Sequence, residues 1–177
     1  MIFHFLGGTQ GPSNKGDLLI ALEKLLTGNL RDGKKTVVVI DEAHAILDPD
    51  IFEEVRLLLN LQTDNKFLLT LLLLGQDELK ERVENNKQLD QRIAIRYHLE
   101  GLTAEETSGY VHHRLLIAGA KSEIFDADAL AMVYLRSGGI PRRINQICDM
   151  SLLTARTHKS DKIAEATVHE AVESLEK

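Results

Sequence analysis

Two adjacent acids, Asp41 and Glu42, follow the apolar run Val37-Val38-Val39-Ile40. A β-branched run this short cannot make a helix. It is apolar at every position, the pattern of a parallel strand buried on both faces. Such a strand is rigid and delivers the next residues to its carboxyl end, where open α/β sheets bind ligands. Asp41 can hold Mg²⁺ there, directly or through water. Glu42 can orient a water molecule and take its proton. An acidic turn that binds nothing is the plainer alternative, so further positions matter. Gln76 follows a second apolar run, Leu71-Leu72-Leu73-Leu74-Gly75. Arg92 stands in Gln91-Arg92-Ile93, with Arg96 close behind. Arg142 and Arg143 follow Gly138-Gly139-Ile140-Pro141. Taken singly, each of these reads equally as a loop residue or a solvated arginine. An arginine at the positive end of a helix is mildly misplaced, which favours a task for Arg142, with Arg143 as the alternate.

The elements that must position these residues are legible from periodicity and caps. A helix is predicted over Asp17–Leu30, with Leu18, Leu19, Leu22, Leu25 and Leu26 on one face. Thr36–Ile40 is the first strand. Asp48 suits an N-cap and Pro49 the first helical position. Ile51, Val55, Leu58 and Leu59 form that helix's inward stripe. Phe67–Leu74 is the second buried strand, ended by Gly75. Asp77–Asn85 is a short helix, and Ile93–Leu99 a third strand of mixed polarity. From Thr103 onward the pattern is helical only. Thr103 with Glu106 makes a capping box, and Gly119 closes that helix. Asp126 caps the next, which ends at Gly138. Pro141 opens another, with Ile144, Ile147, Cys148 and Leu152 inward, and the last spans Ala164–Leu175. The fold class is therefore α/β: a parallel sheet with helices over 1–100, then a small helical lobe over 101–177.

Composition narrows the function classes. The chain has 177 residues, 44% hydrophobic and 27% charged, ordinary for a folded domain. The net charge is −6, so the strongly basic footprint of a dedicated nucleic-acid binder is absent. No run approaches the ~18 apolar residues that cross a bilayer. Met1–Leu6 is too short for a secretory signal, and Gly7–Gly16 is the most linker-like stretch. The single cysteine, Cys148, reads as a small buried apolar residue in a reducing compartment. The chain is expected to be cytoplasmic and able to dock on a membrane protein.

The four constellations occur in the order and rough spacing of AAA+ modules. Val37–Glu42 looks like a Walker B strand, and Gly138-Gly139-Ile140-Pro141-Arg142-Arg143 like a sensor 2 turn. Together with Val39-Ile40-Asp41-Glu42-Ala43-His44, Gly75-Gln76-Asp77-Glu78-Leu79 and Gln91–Leu99, they make the chain resemble the general secretion pathway A-type (ExeA-like) ATPases from about Asp17 to its end. The resemblance implies a partial AAA+ P-loop core followed by a helical lid. It implies ATP and Mg²⁺ as ligands, with Asp41 on the metal and Glu42 as general base. It makes Gln76 a sensor 1 residue that contacts the γ-phosphate. Arg142, or Arg143, becomes the sensor 2 arginine that couples phosphate to lid. Arg92 becomes an arginine finger acting in trans, with Arg96 as rival. It also implies a homo-oligomer and a protein partner, an inner-membrane component of a secretion or pilus-type system. Related ATPases load DNA transposition machinery, a branch the acidic balance does not favour. A non-catalytic adaptor that binds a partner without nucleotide is the other alternative.

One expected part is missing. No Gly-x-x-x-x-Gly-Lys-Ser/Thr loop, whose amides and lysine grip phosphates, occurs in the sequence. In the family that loop precedes the position equivalent to Met1, so the chain is expected to be an N-terminally truncated module. Its strand would lie between the second and third strands above. Without it, two edges lack partners, and the chain alone is expected to aggregate or rearrange. The phrase Asp41-Glu42-Ala43-His44 also marks a helicase superfamily, which needs a second domain that this length cannot hold. His44 reads as a local hydrogen-bonding residue, and His112-His113 as a surface pair.

Overall fold

The computed structural model describes residues 14–176. The chain divides into two units, Met1–Arg96 and Tyr97–Lys177. Met1–Leu6 and most of the linker-like stretch lie outside the described residues.

In the first unit, α1 (Lys15–Arg31) begins where the Asn14 side chain accepts the Asp17 N–H at 2.9 Å. This satisfies one of the donors a helix start leaves open. Leu22 and Leu26 are its buried residues, the centre of the expected stripe. α2 (Pro49–Leu58) is capped by Asp48, whose carboxylate accepts the Asp50 N–H at 2.9 Å. Its buried residues are Phe52 and Val55, whereas Ile51 is exposed. The helix is thus rotated from the sequence-based stripe, because Phe52 offers more apolar area to bury than Ile51. Two strands, β1 (Thr36–Ile40) and β4 (Leu69–Leu73), pair in parallel with Val38 opposite Leu71 and Ile40 opposite Leu73. Between them, β2 (Gln62–Thr63) and β3 (Lys66–Phe67) form a small hairpin. The second strand is therefore shorter than Phe67–Leu74, because Phe67 pairs with Gln62 and stands exposed. Two short helices follow, α3 (Glu78–Asn85) and α4 (Lys87–Asp90).

The sheet corrects two expectations. Thr36, Val38 and Leu69 are buried on one face, where the side chains of α1, α2, α3 and α4 pack. Val37, Val39 and Leu72 stand on the other face and are exposed, Val37 at 55%. Among the described residues the strands are thus covered on one side only. The expected third strand, Ile93–Leu99, forms no ladder. Ile95, Tyr97 and Leu99 are 84–85% exposed. Its alternation suits a strand, but β1 and β4 pair only with each other among the described residues. An extended segment without a neighbour has nothing to bond.

The second unit holds four helices: α5 (Ala104–Ile117), α6 (Ala127–Ser137), α7 (Pro141–Thr157) and α8 (Glu165–Leu175). Val133, Ile144, Ile147, Ile163, Val168 and Val172 are fully buried in one core. Each fully buried side chain of this kind stabilises by roughly 1.5–3 kcal/mol. Phe125 and Ile163 form a parallel bridge that ties the loops before α6 and α8. Cys148 packs against this core. Burial, with Asp149 beside it, pushes its thiol up to about 12, so it stays protonated at neutral pH and acts as an apolar group.

The capping box at α5 forms in both directions. Thr103 Oγ1 accepts the Glu106 N–H at 3.2 Å, and Glu106 Oε2 accepts the Thr103 N–H at 2.9 Å. These bonds, the backbone one foremost, hold the Glu106 carboxyl below its ordinary value of 4.5. A carboxylate lowered by folding contributes stability that is present above the unfolded value and lost as pH falls through the folded one. Glu106→Gln is therefore expected to lower Tm at neutral pH and to flatten the fall of Tm below about pH 4.5. Thermal melts across that range check it.

Candidate functional site

The parallel register sets the site. Ile40 and Leu73 are partners at the strand ends, so Asp41-Glu42 and Gly75-Gln76 leave the sheet side by side. Leu74 N–H donates to Ile40 O at 2.9 Å, and Ala43 N–H donates to Leu74 O at 2.8 Å. These bonds carry the strand pairing past both ends and hold the two turns together. Asp41 Oδ1 accepts the Glu42 N–H at 2.8 Å. Glu42 itself sits in the left-handed region, φ 53 and ψ 33. For a residue with a side chain this costs about 1–2 kcal/mol, an outlier of the kind that collects at functional sites. The 3₁₀ turn Ala43–Ala45 starts directly behind it, closed by the Ala45 N–H on Glu42 O at 2.8 Å.

Gly75 is what allows the approach. A Cβ there would lie 3.0 Å from Leu79 Cδ2 and 3.1 Å from the His44 backbone nitrogen. His44 turns its ring into the gap, with only 18% of its side chain exposed. Its Nδ1 accepts the Gln76 N–H at 3.3 Å, and its Nε2 lies 3.4 Å from Glu42 Oε2. His44 is thus more than a local hydrogen-bonding residue, because it spans two strand ends 32 positions apart. Sequence spacing gave no sign of this; the register of β1 with β4 creates it.

The arginines are placed differently. Arg92 is exposed in a turn after α4 and does not enter a strand. Its rival Arg96 is taken up by an ion pair with the Asp90 carboxylate. In the second unit, Gly138 caps α6 in the left-handed region at φ 60, and Gly139 follows at φ 72. Leu102 N–H donates to Gly139 O at 2.9 Å, and the Gly139 N–H donates to Ser137 Oγ at 3.2 Å. This turn launches α7 at Pro141 and sets Arg142 and Arg143 in its first turn. Arg143 pairs with Glu176 at 3.1 Å, which also meets Arg136 at 3.5 Å. Arg142 is exposed, so of the two it is the one not held by Glu176. His112 bonds Ser108 O at 3.0 Å and His113 is exposed.

Adjacent carboxylates at a sheet's carboxyl end are hard oxygen donors. They suit Mg²⁺, which takes one or two protein carboxylates and completes its shell with water and phosphate. Asp41 fits that role, with the Glu42 carboxylate beside it. The phosphate-gripping loop has no counterpart in the sequence.

Residues 1–83 match the AAA domain family. General secretion pathway protein A of Aeromonas hydrophila is 44% identical over 145 residues, 81% of this chain. The chain belongs to the AAA+ family. It spans 26% of the length of that relative. Among solved structures, the Aeropyrum pernix ORC2 protein, in complexes with ADPNP and ADP, is similar with a TM-score of 0.66 at 21% identity. The match covers 89% of this AAA+ chain and 44% of that one. A mutant of Thermotoga maritima RuvB gives a TM-score of 0.57 at 19% identity, over 86% of this chain and 49% of the other. These likenesses show the AAA+ fold. No described helix is long and apolar enough to cross a membrane.

Proposed function

We propose that this chain is the Mg²⁺- and water-handling part of an ATP-hydrolysing AAA+ motor or switch that serves a secretion or pilus-type assembly system. The observation that carries this is the pairing of Asp41-Glu42 with Gly75-Gln76 at one end of β1 and β4, sewn by the Ala43–Leu74 and His44–Gln76 bonds. The likeness to general secretion pathway protein A supplies the process. Asp41 would hold Mg²⁺. Glu42 orients the attacking water and takes its proton. Gln76 contacts the terminal phosphate. The chemistry the ion would supply there is charge neutralisation of the phosphates. Arg142 couples the phosphates to the helical unit, and Arg143, engaged by Glu176, stands behind it. Arg92 acts on a neighbouring subunit's nucleotide in a homo-oligomer, as a planar guanidinium can. The protein works in the cytoplasm, against an inner-membrane component of the system. These residues alone hold ATP weakly, because no lysine-bearing glycine loop grips the triphosphate.

The test is Mg²⁺-dependent phosphate release from ATP by the protein at its natural length. Asp41→Asn is expected to raise the Mg²⁺ needed for half-maximal rate and to lower the rate by roughly 10–100-fold, since one hard ligand is lost. A second reading is an adaptor that binds its partner without nucleotide. No phosphate release, with partner binding indifferent to ATP, would establish that reading instead. Salt-sensitive DNA binding would favour the transposition-accessory alternative.

A further inference from the structure

His44 joins the two strand ends that carry Glu42 and Gln76, and its chemistry fixes how. A neutral imidazole has one N–H donor and one bare nitrogen acceptor. Nδ1 faces the Gln76 N–H at 3.3 Å, so Nδ1 is the acceptor. The ring proton then sits on Nε2, which lies within ion-pair distance, 3.4 Å, of Glu42 Oε2. One tautomer satisfies both contacts. A ring protonated on both nitrogens would set two N–H groups against each other at Gln76.

The two ends differ in freedom. The Glu42 side chain is 68% exposed, against 18% for His44. A carboxylate that open samples several rotamers unless something selects one. The ring is the better-fixed partner. The 3₁₀ turn Ala43–Ala45 carries it, and Gly75 passes so close that a Cβ there would lie 3.1 Å from its backbone nitrogen.

We propose that His44 is a positioning residue that sets the rotamer of Glu42 and ties it to the main chain of Gln76. The inference rests on Glu42 being the general base. A shift of the Gln76 turn on phosphate contact moves Nδ1, and through the rigid ring moves the donor that holds Glu42. The base then comes into line only when the phosphate-contacting turn is engaged.

Two kinds of measurement test this in the protein at its natural length. The first needs no nucleotide. A long-range ¹H–¹⁵N spectrum of the His44 ring is expected to show the Nε2–H tautomer, and Glu42→Ala is expected to move the Nε2 signal more than the Nδ1 signal. A ring averaging between tautomers would overturn the bridge. The second is kinetic. His44→Ala is expected to lower kcat by roughly 10–100-fold, the loss that follows from a misplaced catalytic group, with ATP affinity unchanged within about twofold. His44→Asn keeps an acceptor near the Nδ1 position for the Gln76 N–H, but its amide is too short to place a donor where Nε2 stands beside Glu42. His44→Ala is expected to lower Tm through the lost Gln76 bond, and His44→Asn to restore it while kcat stays low. Recovery of kcat together with Tm in His44→Asn would reduce His44 to a structural role and overturn the proposal, as would an unchanged kcat in His44→Ala. A wild-type protein without ATPase activity but with the Nε2–H tautomer would overturn the hydrolysis reading while leaving the bridge supported.

Discussion

Glu42→Gln is expected to lower ATP turnover by roughly three orders of magnitude in the protein at its natural length, within the range that a positioned general base contributes. Three orders correspond to about 4 kcal/mol of transition-state stabilisation. The substitution isolates one property. Glutamine has the shape of glutamate, and its side chain can keep its place beside His44 Nε2, 3.4 Å away in the wild type. The backbone keeps its bonds from the Glu42 N–H to Asp41 and from the Ala45 N–H to Glu42 O. Asp41 keeps its place at the end of β1. Only the capacity to take a proton from water is removed. Equilibrium nucleotide binding is therefore expected to hold within about twofold while phosphate release at saturating ATP collapses. Turnover that is unchanged in this variant would remove Glu42 from the mechanism, and parallel losses of binding and turnover would make it a phosphate or metal contact instead.

What could be read from the chain beforehand follows the range of the interactions involved. Helix caps are local, so Asp48, Thr103 with Glu106, Asp126 and the Pro141 start are legible in a few neighbouring residues. The apolar run ending in Asp41-Glu42 is equally local, and so is the run ending in Gly75-Gln76. Their meeting at one sheet end depends on β1 pairing in register with β4, which no local pattern states. The open face shows the same limit. Val37 and Val39 look buried because they are apolar, but burial needs a covering element, and the described helices pack on the other face. Ile93–Leu99 alternates as a strand does, but a strand is a property of a pair. His44 escaped for a related reason. His44 reads as a local hydrogen-bonding residue, and only the strand register reveals its partner at Gln76.

Gly139→Ala is expected to be the most damaging substitution in the helical unit, costing about 3–5 kcal/mol, the scale reached when backbone geometry itself is violated. Two separate effects add. The residue sits at φ 72, where a side chain costs about 1–2 kcal/mol. Its Cβ would also fall 2.0 Å from Leu102 O and 2.6 Å from Leu102 N. Those atoms are main chain and cannot swing away. They are fixed by the Leu102 N–H to Gly139 O bond at 2.9 Å and by the start of α5 just beyond. Gly138 provides the control. It has a similar φ of 60, but no atom lies within 4 Å of its Cβ position. Gly138→Ala is expected to cost only the conformational part, about 1–2 kcal/mol. Urea unfolding followed by helical circular dichroism separates the two variants. Equal losses would mean that backbone conformation alone fixes the turn. A larger loss at Gly139 would mean that the close packing of this turn on Leu102 sets the direction of α7, and with it where Arg142 is presented.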